Sequence, residues 1–111
     1  MDSPAAFMIV TCKIDPSQKQ DFKHYVSNAR PIFGAHGGTP VGQYAVAERV
    51  VGQSQTTHVI IMAFPSQDAI RSVFADPAYT ALIPNRTRAF PVLDIHIAED
   101  FNPATLLAGS V

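Results

Sequence analysis

Ala5-Ala6-Phe7-Met8-Ile9-Val10-Thr11-Cys12-Lys13 is the segment on which the reading of the fold turns. Its centre, Phe7 to Cys12, is apolar, β-branched and almost unbroken, where a strand with one wet face would alternate. A strand apolar on both faces is covered on both faces. Something beyond the chain's own helices is therefore expected to close over the sheet.

Downstream, Asp15-Pro16-Ser17-Gln18 carries the marks of a helix start. Asp15 can cap, Pro16 suits the first helical position, and Gln18 completes a capping-box spacing. Phe22, Tyr25, Val26, Ala29, Ile32 and Phe33 recur at helical spacing and form one apolar face. Pro31 sits inside that pattern and is expected to kink or split the helix near Arg30. His36-Gly37-Gly38 ends the element, because glycine accepts the left-handed conformation common at helix C-termini. Pro40 to Val51 and Thr56 to Phe64 read as two strands of a hairpin about the polar turn Gly52-Gln53-Ser54-Gln55. Pro65-Ser66 opens a second helix, capped by Ser66, with Ile70, Val73 and Phe74 facing inward. Asp76-Pro77 starts a short helical piece through Tyr79, Leu82 and Ile83, which Pro84 interrupts. Phe90 to Ala98 is the last strand, and the alanine-rich tail from Asp100 to Val111 reads as irregular.

The order β-α-β-β-α-β is the ferredoxin-like arrangement. It is an α+β fold with a four-stranded antiparallel sheet and two helices on one face. Residues 1–98 form this single domain and residues 99–111 a C-terminal tail. Because the strands are apolar on both faces, the bare face is expected to meet its copy in a homodimer, a dimeric α/β barrel.

Composition narrows the function. At 111 residues the chain is one domain's worth, and a 47% hydrophobic content supports a core. The formal net charge of -1, without a basic block, speaks against nucleic-acid binding, which needs a basic face to neutralise phosphates. No apolar stretch is long enough to span a bilayer, so no membrane partner is expected. Met1-Asp2-Ser3-Pro4 lacks a basic region followed by a long apolar run, which speaks against a signal peptide. The single cysteine, Cys12, rules out an intrachain disulfide and fits a cytoplasmic setting. Cys12 itself reads as an inert buried thiol.

Asp94 and His96, two apart in the last strand, project from one face. A carboxylate beside an imidazole can orient it as a general base, or the two can make a structural or interfacial hydrogen bond. His58 shares a face with Ile60, Met62 and Phe64, and is either a base in a pocket or a satisfied histidine near a strand end. Tyr44 can donate to a substrate carbonyl or serve packing. His24 falls off the apolar helix face and is expected in solvent, and His36 is expected to cap helix carbonyls. The four histidines are scattered, with no H-x-x-x-H or paired-cysteine spacing, so no metal site is expected. Convergence of Asp94, His96 and His58 on an ion is the one arrangement the strands would allow. No nucleotide-binding glycine motif or nucleophile elbow occurs, so no cofactor is expected.

Three motifs in order carry a resemblance: Ala35-His36-Gly37-Gly38, Phe64-Pro65-Ser66, and Asp76-Pro77-Ala78-Tyr79 leading to Leu82 and Arg86. Over about Ala5 to Ala98 the chain resembles the "domain of unknown function 1330" branch of the dimeric α/β-barrel superfamily. It departs from that branch at Pro84-Asn85 and at Asp94-Ile95-His96. The resemblance implies the fold, a dimer, and a pocket between sheet and helices, and it favours Arg86 as a recurring position. A guanidinium there would hold a carboxylate or phenolate, or pair with Asp76 or Glu99. The superfamily includes cofactor-free quinone-forming monooxygenases, polyketide cyclases, muconolactone isomerases and haem-dependent enzymes.

The reading that follows is a small cofactor-independent enzyme acting by acid–base chemistry on an apolar, aromatic or polyketide-like molecule. His58, Asp94, His96 and Tyr44 are its expected catalytic groups. Arg86, Tyr79, Phe64 and Phe33 are its expected substrate contacts. The alternatives are a cofactor-free monooxygenase of the antibiotic-biosynthesis type, a non-catalytic small-molecule-binding protein, and a purely structural dimer without a pocket.

Overall fold

The Phe7–Cys12 run forms a central strand. A computed structural model describes residues 6–108. The chain runs β1 (Ala6–Lys13), α1 (Lys19–Ala35), β2 (Thr39–Ala45), β3 (His58–Phe64), α2 (Gln67–Ala75), α3 (Pro77–Thr80), α4 (Ile83–Ala89), β4 (Val92–Ala98) and α5 (Pro103–Ala108). The strands form one antiparallel sheet in the order β2-β3-β1-β4. This is the ferredoxin-like α+β arrangement.

The register sorts the side chains by face. Met8 pairs with Met62 and Ile97, Val10 with Ile60 and Ile95, and Cys12 with His58 and Leu93. These side chains share the face toward the helices, where Met8, Cys12 and Phe64 are buried. The alternate set, Phe7, Ile9 and Thr11 opposite Ala63, Ile61 and Val59, lies on the far face. Among the described residues no helix packs there, and these side chains stay half-exposed. The apolar residues on both faces of β1 thus serve two different surfaces.

Caps and turns explain the element ends. Ser66 accepts the Ala69 N–H at 3.0 Å and opens α2, and Asp76 accepts the Ala78 N–H at 2.9 Å and opens α3. Gly37, at φ 90°, closes α1 in the left-handed region. Gly38 has another reason to be glycine: a Cβ would lie 2.6 Å from the Phe64 ring and 2.9 Å from the Phe33 carbonyl.

Several local expectations change. Asp15 accepts from the Ser17 N–H and hydroxyl and closes a turn, so α1 starts later, after Gln18. Pro31 does not split α1, which continues to Ala35 with Ala29 and Phe33 buried on either side of it. Packing at both flanks outweighs the missing N–H. Pro84 stands in the first turn of α4, where its lost N–H had no helical partner, so it begins a helix instead of ending one. Arg86 and Arg88 therefore lie on a helix. β2 stops at Ala45, and residues 46–57 form a long connection in which Val50 and Val51 are exposed. Part of the tail, Pro103–Ala108, is a short helix in place of the irregular segment expected.

Ile70 is fully buried at the middle of α2. Its change to Ala is expected to cost roughly 2–5 kcal/mol in urea unfolding. Val51→Ala, on the exposed connection, is expected to stay within about 0.5 kcal/mol.

Candidate functional site

The helices do not sit on the sheet equally. α2 makes close approaches to β1, β3 and β4, whereas α1 packs mainly on α4 and α3. Between α1 and the sheet lies a cavity of about 530 Å³. Its floor is Met8, Val10, Ile60 and Ile95, its roof is Phe22, Tyr25, Val26 and Phe33 of α1, and Phe90 closes one side. Arg30 and Gln43, both exposed, also border it. This volume lies in the range that takes a drug-sized molecule, and the walls are mostly apolar.

Of the expected catalytic groups, His58 is on the helix-facing register and borders the cavity. Its Nδ1 lies 2.8 Å from Thr57 Oγ1. That hydroxyl oxygen also accepts the Ile14 N–H at 3.1 Å and donates to the Cys12 carbonyl at 3.3 Å. Tyr44 borders the cavity too, on edge strand β2. Its register position opposite Val59 puts it on the other face from His58, and its side chain lies back along the strand over Gly42. A Cβ at Gly42 would collide with the Tyr44 ring and hydroxyl.

Asp94 and His96 stand elsewhere. They pair with Thr11 and Ile9 on the far face and are exposed there. They share a face with each other, but the sheet itself separates them from His58 and the cavity. Period-two alternation places every second residue of β4 away from the helices, and these two fall on the outward positions. The same separation prevents Asp94, His96 and His58 from meeting on an ion. Among the described residues no group of three His, Cys, Asp or Glu side chains is arranged to hold a metal.

The expected substrate contacts also divide. Phe33 lines the cavity, while Phe64, Tyr79 and Arg86 lie behind its wall. Arg86 pairs with neither Asp76 nor Glu99. Its Nη1 donates to Tyr79 Oη at 3.1 Å, and Tyr79 Oη lies 2.7 Å from Tyr25 Oη. Tyr25 is the member of this chain that borders the cavity. Burial, then the adjoining Tyr79 hydroxyl, pushes the Tyr25 phenol well above the ordinary range, so it stays protonated. Sequence reading took Tyr25 only as part of an apolar face. Its role depends on a neighbour far along the chain that spacing does not reveal.

Two polar links hold α1 in place. Asp21 receives both Arg88 Nε and Nη2, at 2.9 and 3.0 Å, and Asn85 Nδ2 at 2.9 Å. At the other end of the helix, His36 Nε2 lies 3.0 Å from Asp76 Oδ2. The His36 imidazole therefore bridges two elements, and only its backbone N–H returns to helix carbonyls. Cys12 is buried, and burial pushes its thiol up, as expected for an unreactive group. No helix among the described residues is long and apolar enough to cross a membrane.

The motifs, their order and this fold agree with one family. Residues 5–101 match the family described as Domain of unknown function (DUF1330). The chain belongs to the DUF1330 family. No curated protein matches this DUF1330 chain. Among solved structures it is similar to the RPA0582 protein of unknown function from Rhodopseudomonas palustris. The TM-score is 0.76 and the identity 20%, over 92% of this chain and 86% of that one. It is also similar to a putative antibiotic biosynthesis monooxygenase from Nitrosomonas europaea, with TM-score 0.64 and 12% identity over 93% and 96% of the two chains. SnoaB, a cofactor-independent oxygenase from Streptomyces nogalater, has TM-score 0.63 and 13% identity over 90% and 96%. At these identities the likeness establishes the shared fold.

The His36–Asp76 link has a pH signature. The hydrogen bond with His36, then that from the Ala78 N–H, holds the Asp76 carboxyl below its ordinary value of 3.8. A depressed folded-state value contributes stability above the unfolded value, lost as pH falls through the folded one. In urea unfolding, Asp76→Asn is therefore expected to be less stable than the parent chain at pH 5. The gap is expected to close as pH falls below 3.8.

Proposed function

We propose that this protein is a cofactor-independent enzyme that binds an apolar, aromatic or polyketide-like molecule in the cavity and removes a proton beside a carbonyl. The observation that carries the reading is His58, an imidazole in a mostly apolar wall with one nitrogen engaged by Thr57. A hydroxyl has one hydrogen to give and two positions to accept. We assign the Thr57 hydrogen to the Cys12 carbonyl, which leaves its acceptor positions for the Ile14 N–H and for His58 Nδ1–H, the tautomer this reading requires. In that tautomer His58 Nε2 carries the lone pair that would take the substrate proton. Isomerisation or cyclisation follows from the carbanion formed. Phe33 supports substrate binding as an aromatic wall, and Tyr44 as a group at the edge.

A cofactor-free monooxygenase is the second reading. It is supported by the fold shared with SnoaB, a cofactor-independent oxygenase, and with the putative monooxygenase from Nitrosomonas europaea. The first step is the same proton abstraction, with dioxygen as the co-reactant of the carbanion. Anthrone, an apolar tricyclic ketone with an acidic methylene, tests both. Under argon in D₂O the protein is expected to speed deuterium uptake at that methylene, and His58→Gln to remove about 10²-fold or more of the acceleration. An exchange rate indifferent to His58→Gln would sink the acid–base reading. Oxygen uptake in air separates the monooxygenase from the isomerase or cyclase.

We also propose a homodimer through the far face of the sheet, in a cytoplasmic setting that fits the single thiol. Phe7, Ile9, Val59 and Ile61 form a half-exposed apolar centre on that face, and a second copy of the same face is its simplest cover. Asp94 and His96 would then lie at the seam. Sedimentation is expected to give twice the chain mass of 12.0 kDa, and Ile61→Glu to shift it to the monomer. A monomeric parent chain would refute the dimer.

A further inference from the structure

The Tyr25–Tyr79–Arg86 chain has a direction. A guanidinium can only donate, so the 3.1 Å contact makes Tyr79 Oη the acceptor of Arg86 Nη1–H. No carboxylate lies within ion-pair distance of Arg86 among the described residues, and its buried Nε has no partner there. The positive charge is thus directed onto Tyr79, over whose ring the guanidinium carbon also sits at 5.8 Å. A hydroxyl that accepts from a cation becomes a better donor, since linked hydrogen bonds polarise one another. Geometry allows either hydroxyl to donate across the 2.7 Å contact, and this polarisation is the ground for assigning it as Tyr79 O–H to Tyr25 Oη. In that assignment Tyr25 accepts, and its own hydrogen has no other acceptor among the hydrogen bonds of the described residues. Tyr25 is also the only one of the three that borders the cavity.

We propose that Tyr25 presents this hydrogen to the carbonyl oxygen of the cavity's ligand, with Tyr79 and Arg86 as positioning residues behind it. The ligand class is thereby a ketone, or its enolate, on an otherwise apolar ring system. The proposal rests on the reading of the cavity as a small-molecule site. It supplies the element that His58 lacks: as a proton leaves the carbon, negative charge grows on the carbonyl oxygen, and a fixed donor there stabilises it. Burial keeps the Tyr25 phenol protonated, so it donates and does not ionise.

Two rigid tricyclic probes of nearly one shape test this, 9-fluorenone with a carbonyl and fluorene without. In equilibrium dialysis the parent chain is expected to bind both. Tyr25→Phe is expected to weaken fluorenone about tenfold, and Tyr79→Phe about threefold, with fluorene held within about twofold in both. Unchanged fluorene binding also reports that each variant is folded. Equal losses for the two probes, or none, with binding by the parent chain intact, would overturn the donor chain and leave the cavity reading standing. Binding of neither probe by the parent chain would overturn both. The direction is read without a ligand from deuterium isotope shifts on ¹³Cζ-labelled tyrosines. The Tyr79 hydroxyl is expected to exchange slowly and that of Tyr25 fast, and the reverse order would overturn the proposal.

Discussion

Tyr79 is where the helical layer is joined. Its ring is fully buried and meets Tyr25 and Phe74 edge-on, with centroids 6.0 and 5.0 Å away. Phe33 lies tilted against it at 6.1 Å, and the Arg86 guanidinium sits over its face. One side chain from a four-residue helix thus touches α1, α2 and α4. Edge-to-face aromatic contacts are worth about 0.5–1.5 kcal/mol each beyond the area they bury. Asp76, which caps the same short helix, is the residue that meets His36 at the end of α1. At the opposite end of α1, Asp21 is clamped by Asn85 and Arg88.

These contacts tie α1 to the segment from α2 to α4 more closely than to the sheet. That is the physical origin of the cavity. A helix free to settle would bring Phe22, Tyr25, Val26 and Phe33 down onto Val10, Ile60 and Ile95, and close-packing would favour it. Held by polar links at both ends and by an aromatic cluster in the middle, it leaves that space open. The cavity is therefore bounded by apolar surface on two sides, with His58 from the sheet and Tyr25 from the helix as polar groups in its walls and with Tyr44, Gln43 and Arg30 at its exposed border. In such a setting each polar group acts with little competition from water.

The sheet divides the remaining chemistry. Its helix face carries the cavity floor, and its far face carries Asp94, His96 and a half-exposed apolar centre. A fold shared with oxygenases and with proteins of unknown function fixes neither activity nor substrate. Function has to be argued from the side chains on each face.

Much of this was legible beforehand, and the limit is instructive. The element order, the β1 segment, the Ser66 and Asp76 caps and the glycines after α1 follow from local physics: burial pattern, cap chemistry and positive φ, each written within a few residues. So did the alternation that places Asp94 with His96, and His58 with Ile60. Alternation says which residues share a face but not which face meets the helices, and this decided that His58 faces the cavity while Asp94 and His96 do not. Pro31 and Pro84 were misread because the cost of a missing N–H depends on the packing around it and on its position in the turn. By sequence Tyr25 reads as part of an apolar helix face, and Tyr79 and Arg86 as substrate contacts. Only the packing of α1 against α3 and α4 made them one hydrogen-bonded chain, because a bond across 54 residues is set by where the helices come to rest and leaves no mark in local spacing.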